Sequence, residues 1–137
     1  MKFEGQYFSK HNFTADQIKQ YLDNALKDIN IAAKIDIPEV RFTYAYSAFL
    51  KSGIALLADS GVKVKSVPGH HVKVIEMMAE ILKNNAIEDI GNAMRMKRNT
   101  DLYSGGIEMT EKDSKSYLKF AETIISSVKK KLSADSV

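Results

Sequence analysis

Five successive stretches of this chain repeat apolar side chains at intervals of three and four, and a single short stretch alternates them. The first interval is the period of a helix with one buried face, and the second is that of a strand. A lone strand leaves its backbone N–H and C=O groups unpaired. Residues 62–69, Val-Lys-Val-Lys-Ser-Val-Pro-Gly, therefore read as an extended connection outside any sheet. What remains is an all-α fold, an up-and-down antiparallel bundle of about five helices in one domain spanning residues 1–137.

Local signals mark the joints. Thr14, with Gln17 three residues on, has the pattern of a capping box. Ile18, Tyr21, Leu22, Ala25, Ile29 and Ala32 then follow at helical spacing. Pro38 suits the first turn of a second helix. Its stripe of Phe42, Ala45, Tyr46, Phe49, Gly53, Ile54 and Leu57 predicts a long amphipathic helix, with Gly61 as its C-terminal cap. The third helix is predicted over His71 to Leu82, with Val72, Ile75, Met78, Ala79 and Leu82 inward, broken by Asn84 and Asn85. The fourth runs from Ala86 to about Tyr103 and stops at Gly105-Gly106. Thr110, with Asp113 in the capping position, opens the fifth, whose inner face is Tyr117, Leu118, Ala121, Ile124, Ile125, Val128 and Leu132. Residues 1–13 form an N-terminal arm. Its Phe3, Tyr7, Phe8 and Phe13 read as a staple onto the bundle, with a dimer contact as the alternative.

The absence of cysteine excludes a disulfide framework, a Cys-ligated zinc site and a thiol nucleophile. No apolar run approaches the roughly 20 residues of a membrane span, and no signal-peptide core follows Met1. A soluble cytoplasmic protein without membrane association is expected. The first sixty residues balance seven basic against seven acidic side chains, so the whole excess of +3 lies from Gly61 onward. That permits a polyanion partner without requiring one.

The segment Arg95-Met96-Lys97-Arg98-Asn99-Thr100-Asp101-Leu102-Tyr103 carries the most chemistry. At about 100° per residue, Arg95, Arg98, Asn99 and Leu102 project from one side of the fourth helix. Arg98 lies beside the apolar edge set by Ile87 and Met94, which predicts a half-buried guanidinium aimed along a groove. Such a fork keeps its charge and suits phosphate or carboxylate. Cations near a helix C-terminus also complement the macrodipole, which alone accounts for Arg95 and Lys97. Lys63, Lys65 and Lys73 surround the connection that carries His70 and His71, and a basic rim leading to Arg95 and Arg98 would make a channel for a nucleic-acid backbone. A solvated loop is the alternative. His70 and His71 open the third helix, where one imidazole caps backbone groups and the other faces the bundle. With His11 they lack a ligand spacing, so no metal and no cofactor is expected.

The five-helix layout with this cluster resembles the HEPN family (higher eukaryotes and prokaryotes nucleotide-binding), whose bundle is similar to the C-terminal domain of kanamycin nucleotidyltransferase. The family signature is an arginine, usually a polar neighbour, and a histidine four to six residues beyond. Arg98 and Asn99 match the first two, and Tyr103 stands where the histidine would be. Pro68-Gly69-His70-His71-Val72-Lys73-Val74-Ile75-Glu76 is similar to the family's third-helix opening. The resemblance covers about residues 13–132. It implies a homodimer that binds RNA or nucleotide phosphate, with metal-independent endoribonuclease activity in the active members. It also implies a toxin-like place in a toxin–antitoxin or defence module, and a nucleotidyltransferase-type antitoxin partner. In that chemistry a 2′-hydroxyl attacks phosphorus, Arg98 stabilises the phosphoryl charge, and the histidine position moves the proton. A tyrosine titrates near pH 10 and is a poor general base, so Tyr103 weakens the cleavage reading and leaves phosphate binding intact. Whether the chain is an enzyme stays open. The alternatives are a catalytically inactive dimeric interaction module and a binder of small ligands or nucleotides.

Overall fold

The computed structural model describes residues 2–103 and 108–135, and the side chains of these except residues 100–103. A short strand β1 (Phe8–Lys10) precedes helices α1 (Ala15–Lys34) and α2 (Pro38–Asp59). Strand β2 (Val62–Val64) leads into α3 (His70–Leu82), α4 (Asn85–Tyr103) and α5 (Glu111–Asp135). The five-helix bundle is as the periodicity predicts. The caps hold as well. Thr14 Oγ1 accepts from the Gln17 amide at 3.1 Å while Gln17 Oε1 accepts from the Thr14 amide at 2.9 Å. Thr110 Oγ1 accepts from the Asp113 amide at 3.0 Å, Pro38 opens its helix, and Gly61 takes the left-handed conformation after α2. The Gly105-Gly106 stop lies outside the described residues. Among the described residues no helix is long and apolar enough to cross a membrane.

Two readings are corrected. Residues 62–64 are a strand after all, paired antiparallel with β1 in the register Phe8↔Val64, Ser9↔Lys63, Lys10↔Val62. The partner comes from the N-terminal arm, whose aromatic density hid a strand only three residues long. The same pairing fixes the arm. Phe8 is buried in the core, with Phe3 and Tyr7 packed against it, so the staple reading holds for these three.

The second correction concerns α2. It is not amphipathic with one buried stripe. Arg41, Ala48, Leu50, Ser52, Ala55, Leu56 and Ala58 are buried along with Phe42, Ala45, Tyr46, Phe49 and Leu57. The helix is the central post, touching α1, α3, α4, α5 and β2. A helix surrounded on several sides loses its polar face. Close approach is part of that packing. A Cβ at Gly91 of α4 would lie 2.8 Å from Phe49 Cζ and 3.0 Å from Ile75 Cγ2. The buried Arg41 ties three elements together. Its Nη1 donates to Glu111 Oε1 at 3.0 Å and Ser114 Oγ at 2.9 Å, and Nη2 donates to the Ile35 carbonyl at 2.7 Å. On α3, Val74 and Met77 are buried, whereas Val72 and Leu82 are only partly so.

Candidate functional site

The first turn of α3 meets the C-terminal half of α4 over the middle of α2. Gly69 begins α3 with φ +84°, a left-handed conformation that costs a glycine nothing and turns the chain sharply into the helix. Without a side-chain cap there, His70 reaches back, and its Nδ1–H donates to the Val67 carbonyl at 2.7 Å. A carbonyl can only accept, so this bond fixes the proton on Nδ1 and leaves Nε2 as the free nitrogen. His71 turns toward the bundle, as one of the two was expected to do. Its Nδ1 lies 3.2 Å from the hydroxyl of Tyr46, a residue only 2% exposed. The two imidazoles pack edge to face, with centroids 4.4 Å apart.

Burial pushes the Tyr46 phenol up to about 12, against a smaller opposing pull from Arg98 and Arg95. His71 moves the other way, down to about 4, chiefly through burial, then through His70, Arg98 and Arg95. At neutral pH the phenol therefore keeps its proton and the imidazole is uncharged. The buried hydroxyl needs an acceptor, and His71 Nδ1 is the one within reach, so Tyr46 donates to it. That leaves the His71 ring proton on Nε2, pointing a donor away from Tyr46.

Around this pair stand the arginines. Arg98 is exposed, not half-buried as predicted. Its guanidinium carbon sits 5.9 Å from the Tyr46 ring centroid, a cation–π distance. The apolar edge of Ile87 and Met94 is wholly buried, so a long side chain one position round the helix lies over the Tyr46 ring with its head in solvent. Arg95 is partly buried, and its Nε donates to Asn92 Oδ1 at 3.2 Å. No carboxylate of the described residues pairs with either arginine.

Two grooves share His71. One, of about 360 Å³, is lined by Arg95, Asn99, His70, His71 and the loop from Ser66. The other, of about 480 Å³, is lined by Arg98 of α4, His71 of α3, Tyr46, Ser47 and Lys51 of α2, and Asp28 of α1. The structure thus brings Arg95, Arg98, Asn99, His70 and His71 together. It places the lysines elsewhere. Lys63 lines a separate small crevice beside His70. Lys65 Nζ donates to the Gly5 carbonyl at 2.7 Å. Lys73 is paired with Glu4 at 2.8 Å and Glu76 at 3.3 Å. The side chain of Tyr103 lies outside the described residues.

The sequence reading missed the α1–α2 wall. Asp28 is buried, and its Oδ2 accepts from the Ser47 hydroxyl at 2.7 Å and from the Lys51 ammonium at 2.7 Å. Its signal was present, since Asp28 falls within the inward series Ala25, Ile29 and Ala32. A charge on an inward face requires partners. Chemically the arrangement offers fixed cations and a neutral imidazole donor to an anion. Compared with protein-family models, curated proteins and solved structures, the chain matches none of them.

Proposed function

We propose that this protein binds RNA or nucleotide phosphate across the face formed by Arg95, Arg98, Asn99 and His71. The observation that supports it is the pair of guanidinium groups left without a carboxylate among the described residues, on either side of an imidazole that stays neutral. Neither cation is neutralised by a carboxylate of the described residues, so both keep their charge for an incoming anion. Binding is favoured over cleavage. An imidazole held down at about 4 accepts a proton poorly at neutral pH. The toxin-like role and the nucleotidyltransferase-type partner belong to this proposal through the HEPN resemblance.

The test is binding of a short single-stranded RNA across a salt series. Each phosphate contact contributes about 0.7 to the slope of log K against log salt. The double variant Arg95→Ala/Arg98→Ala should bind far more weakly, with a slope reduced by roughly 1.4. Salt-independent binding, or a double variant equal to wild type, overturns the proposal. RNA cutting in the presence of a chelator, increased by Tyr103→His, would add the nuclease activity.

The second reading is a homodimeric interaction module. Met96 favours it, being 59% exposed between Arg95 and Arg98. Sedimentation and RNA titration of wild type and Met96→Lys together separate the two readings, because the interaction module predicts a dimer that the charge disrupts and no salt-dependent RNA binding.

A further inference from the structure

We propose that the groove between α1, α2 and the Arg98–His71 pair holds a small phosphomonoester that carries hydroxyl or amino donors, recognised by the Asp28 carboxylate. This rests on the phosphate-binding reading above and says what else the ligand carries. The groove's volume of about 480 Å³ falls within the usual range for small-molecule sites. Its two walls differ in chemistry. On the α3–α4 wall, Arg98 presents a guanidinium and His71 an N–H. On the α1–α2 wall, the Asp28 side chain is only 10% exposed, and both of its donors, Ser47 and Lys51, converge on Oδ2. Oδ1 has no partner among the described residues. A carboxylate has about four acceptor positions, so two bonds to Oδ2 leave Oδ1 able to accept from a ligand in the groove that Asp28 lines. Lys51 offsets the Asp28 charge, so this wall does not repel a phosphate bound nearby.

A nucleic-acid backbone needs cations and stacking surfaces from its protein. It has no use for a recessed carboxylate oxygen. A sugar hydroxyl or an exocyclic amine does. The ligand is therefore a sugar phosphate or a nucleoside monophosphate, two sources of one chemistry.

Calorimetric titration of the full chain with methyl phosphate, ribose 5-phosphate and the nucleoside 5′-monophosphates tests this. A hydrogen bond to a buried charge predicts that donor-bearing ligands bind roughly ten- to a hundredfold more tightly than methyl phosphate. Equal affinity for ribose 5-phosphate and the nucleotides assigns the sugar as the donor, and a preference for one base assigns the exocyclic amine. In Asp28→Asn, Ser47 and Lys51 are both donors and hold the new carbonyl oxygen. The amide N–H₂ then faces the groove, and the preference over methyl phosphate should vanish. Should that variant fail to fold, the wild-type ligand series decides alone. Methyl phosphate binding as tightly as the other ligands, or an intact preference in Asp28→Asn, overturns the subsite and leaves the phosphate reading standing. No binding of any of these ligands overturns the subsite, and the RNA salt series with Arg95→Ala/Arg98→Ala then decides the phosphate reading on its own.

Discussion

Two partly buried groups give this protein opposing responses to acid, and separating them is a strict test of the structure. His71 is held down to about 4 from an ordinary 6.5, by burial first and then by His70, Arg98 and Arg95. Between those values the unfolded chain binds a proton that the native state refuses, so stability rises with pH across the window. Asp59, at the end of α2, is held up to about 6 from 3.8 by burial, then by its hydrogen bond and charge contact with Asp135, against the pull of Lys131. There the native state keeps a proton that the unfolded chain has lost, so stability falls as pH rises from 3.8 through about 6.

Displacements of this size carry about 3 kcal/mol each in a fully buried group. Both side chains are only partly buried, and solvent screening leaves roughly 1 kcal/mol apiece. Their signs are opposite and their windows overlap, so these two contributions nearly cancel in the wild type. Each variant should unmask the other group. His71→Asn keeps an acceptor for the Tyr46 hydroxyl and removes the histidine response, so stability should fall as pH rises through the window. Asp59→Asn keeps a hydrogen bond to Asp135 and removes the carboxyl response, so stability should rise. Urea unfolding of the three proteins at intervals between pH 4 and 6.5 reads this directly. Parallel profiles for all three would refute the argument, as would an imidazole NMR titration that places His71 near 6.5.

Four further outcomes follow from the packing. Gly91→Ala should cost about 1–3 kcal/mol in chemical denaturation, because its methyl meets the Phe49 ring and Ile75. Gly53→Ala should cost at least as much, since its methyl meets both the buried Met78 thioether and Val74 Cγ1 at 2.9 Å, and a branched side chain packed in the core cannot swing aside. Arg41→Met should lower stability by roughly 2–4 kcal/mol through Ser114 and the Ile35 carbonyl, and the loss should change little with salt, because the arginine is buried. Tyr46→Phe should cost about 1–2 kcal/mol by leaving His71 Nδ1 without its donor.

The helices were legible because their information is local. Thr14 with Gln17, Pro38, Gly61 and Thr110 act within a few residues of themselves, and the structure uses each as read. Misreadings arose where a partner is distant in sequence. Val62–Val64 alternates plainly, but its partner lies more than fifty positions earlier in an arm dominated by aromatics. The surroundings of α2 could not be read from its own stripe, because which faces are covered depends on where four other helices pack. Arg98 was placed correctly beside an apolar edge. Its exposure depended on Tyr46, whose ring supplies the platform that carries the guanidinium above the surface.

The candidate site follows the same division. Arg95, Arg98, Asn99, His70 and His71 could be chosen from residue type and helical phase, since each lies near a helix end where charge and polarity are conspicuous. Tyr46, Ser47 and Lys51 could not, because mid-helix each has an ordinary structural reading until α1 and α2 are set against α3, and Asp28 carried only the signal of a charge on an inward face, without its partners. Yet these residues give the cluster its character. Tyr46 supplies the donor that fixes the His71 tautomer, and its burial accompanies that of the imidazole. Asp28 supplies the acceptor on the facing wall. An anion settling on Arg95 and Arg98 would offset the cations that help hold His71 neutral, while the larger contribution from burial would persist. The imidazole should therefore rise only part of the way toward its ordinary value when phosphate binds, and it remains a hydrogen-bond donor in either protonation state. For a binding site that invariance is useful, because the Nε2–H offered to the ligand does not depend on which form the ring adopts.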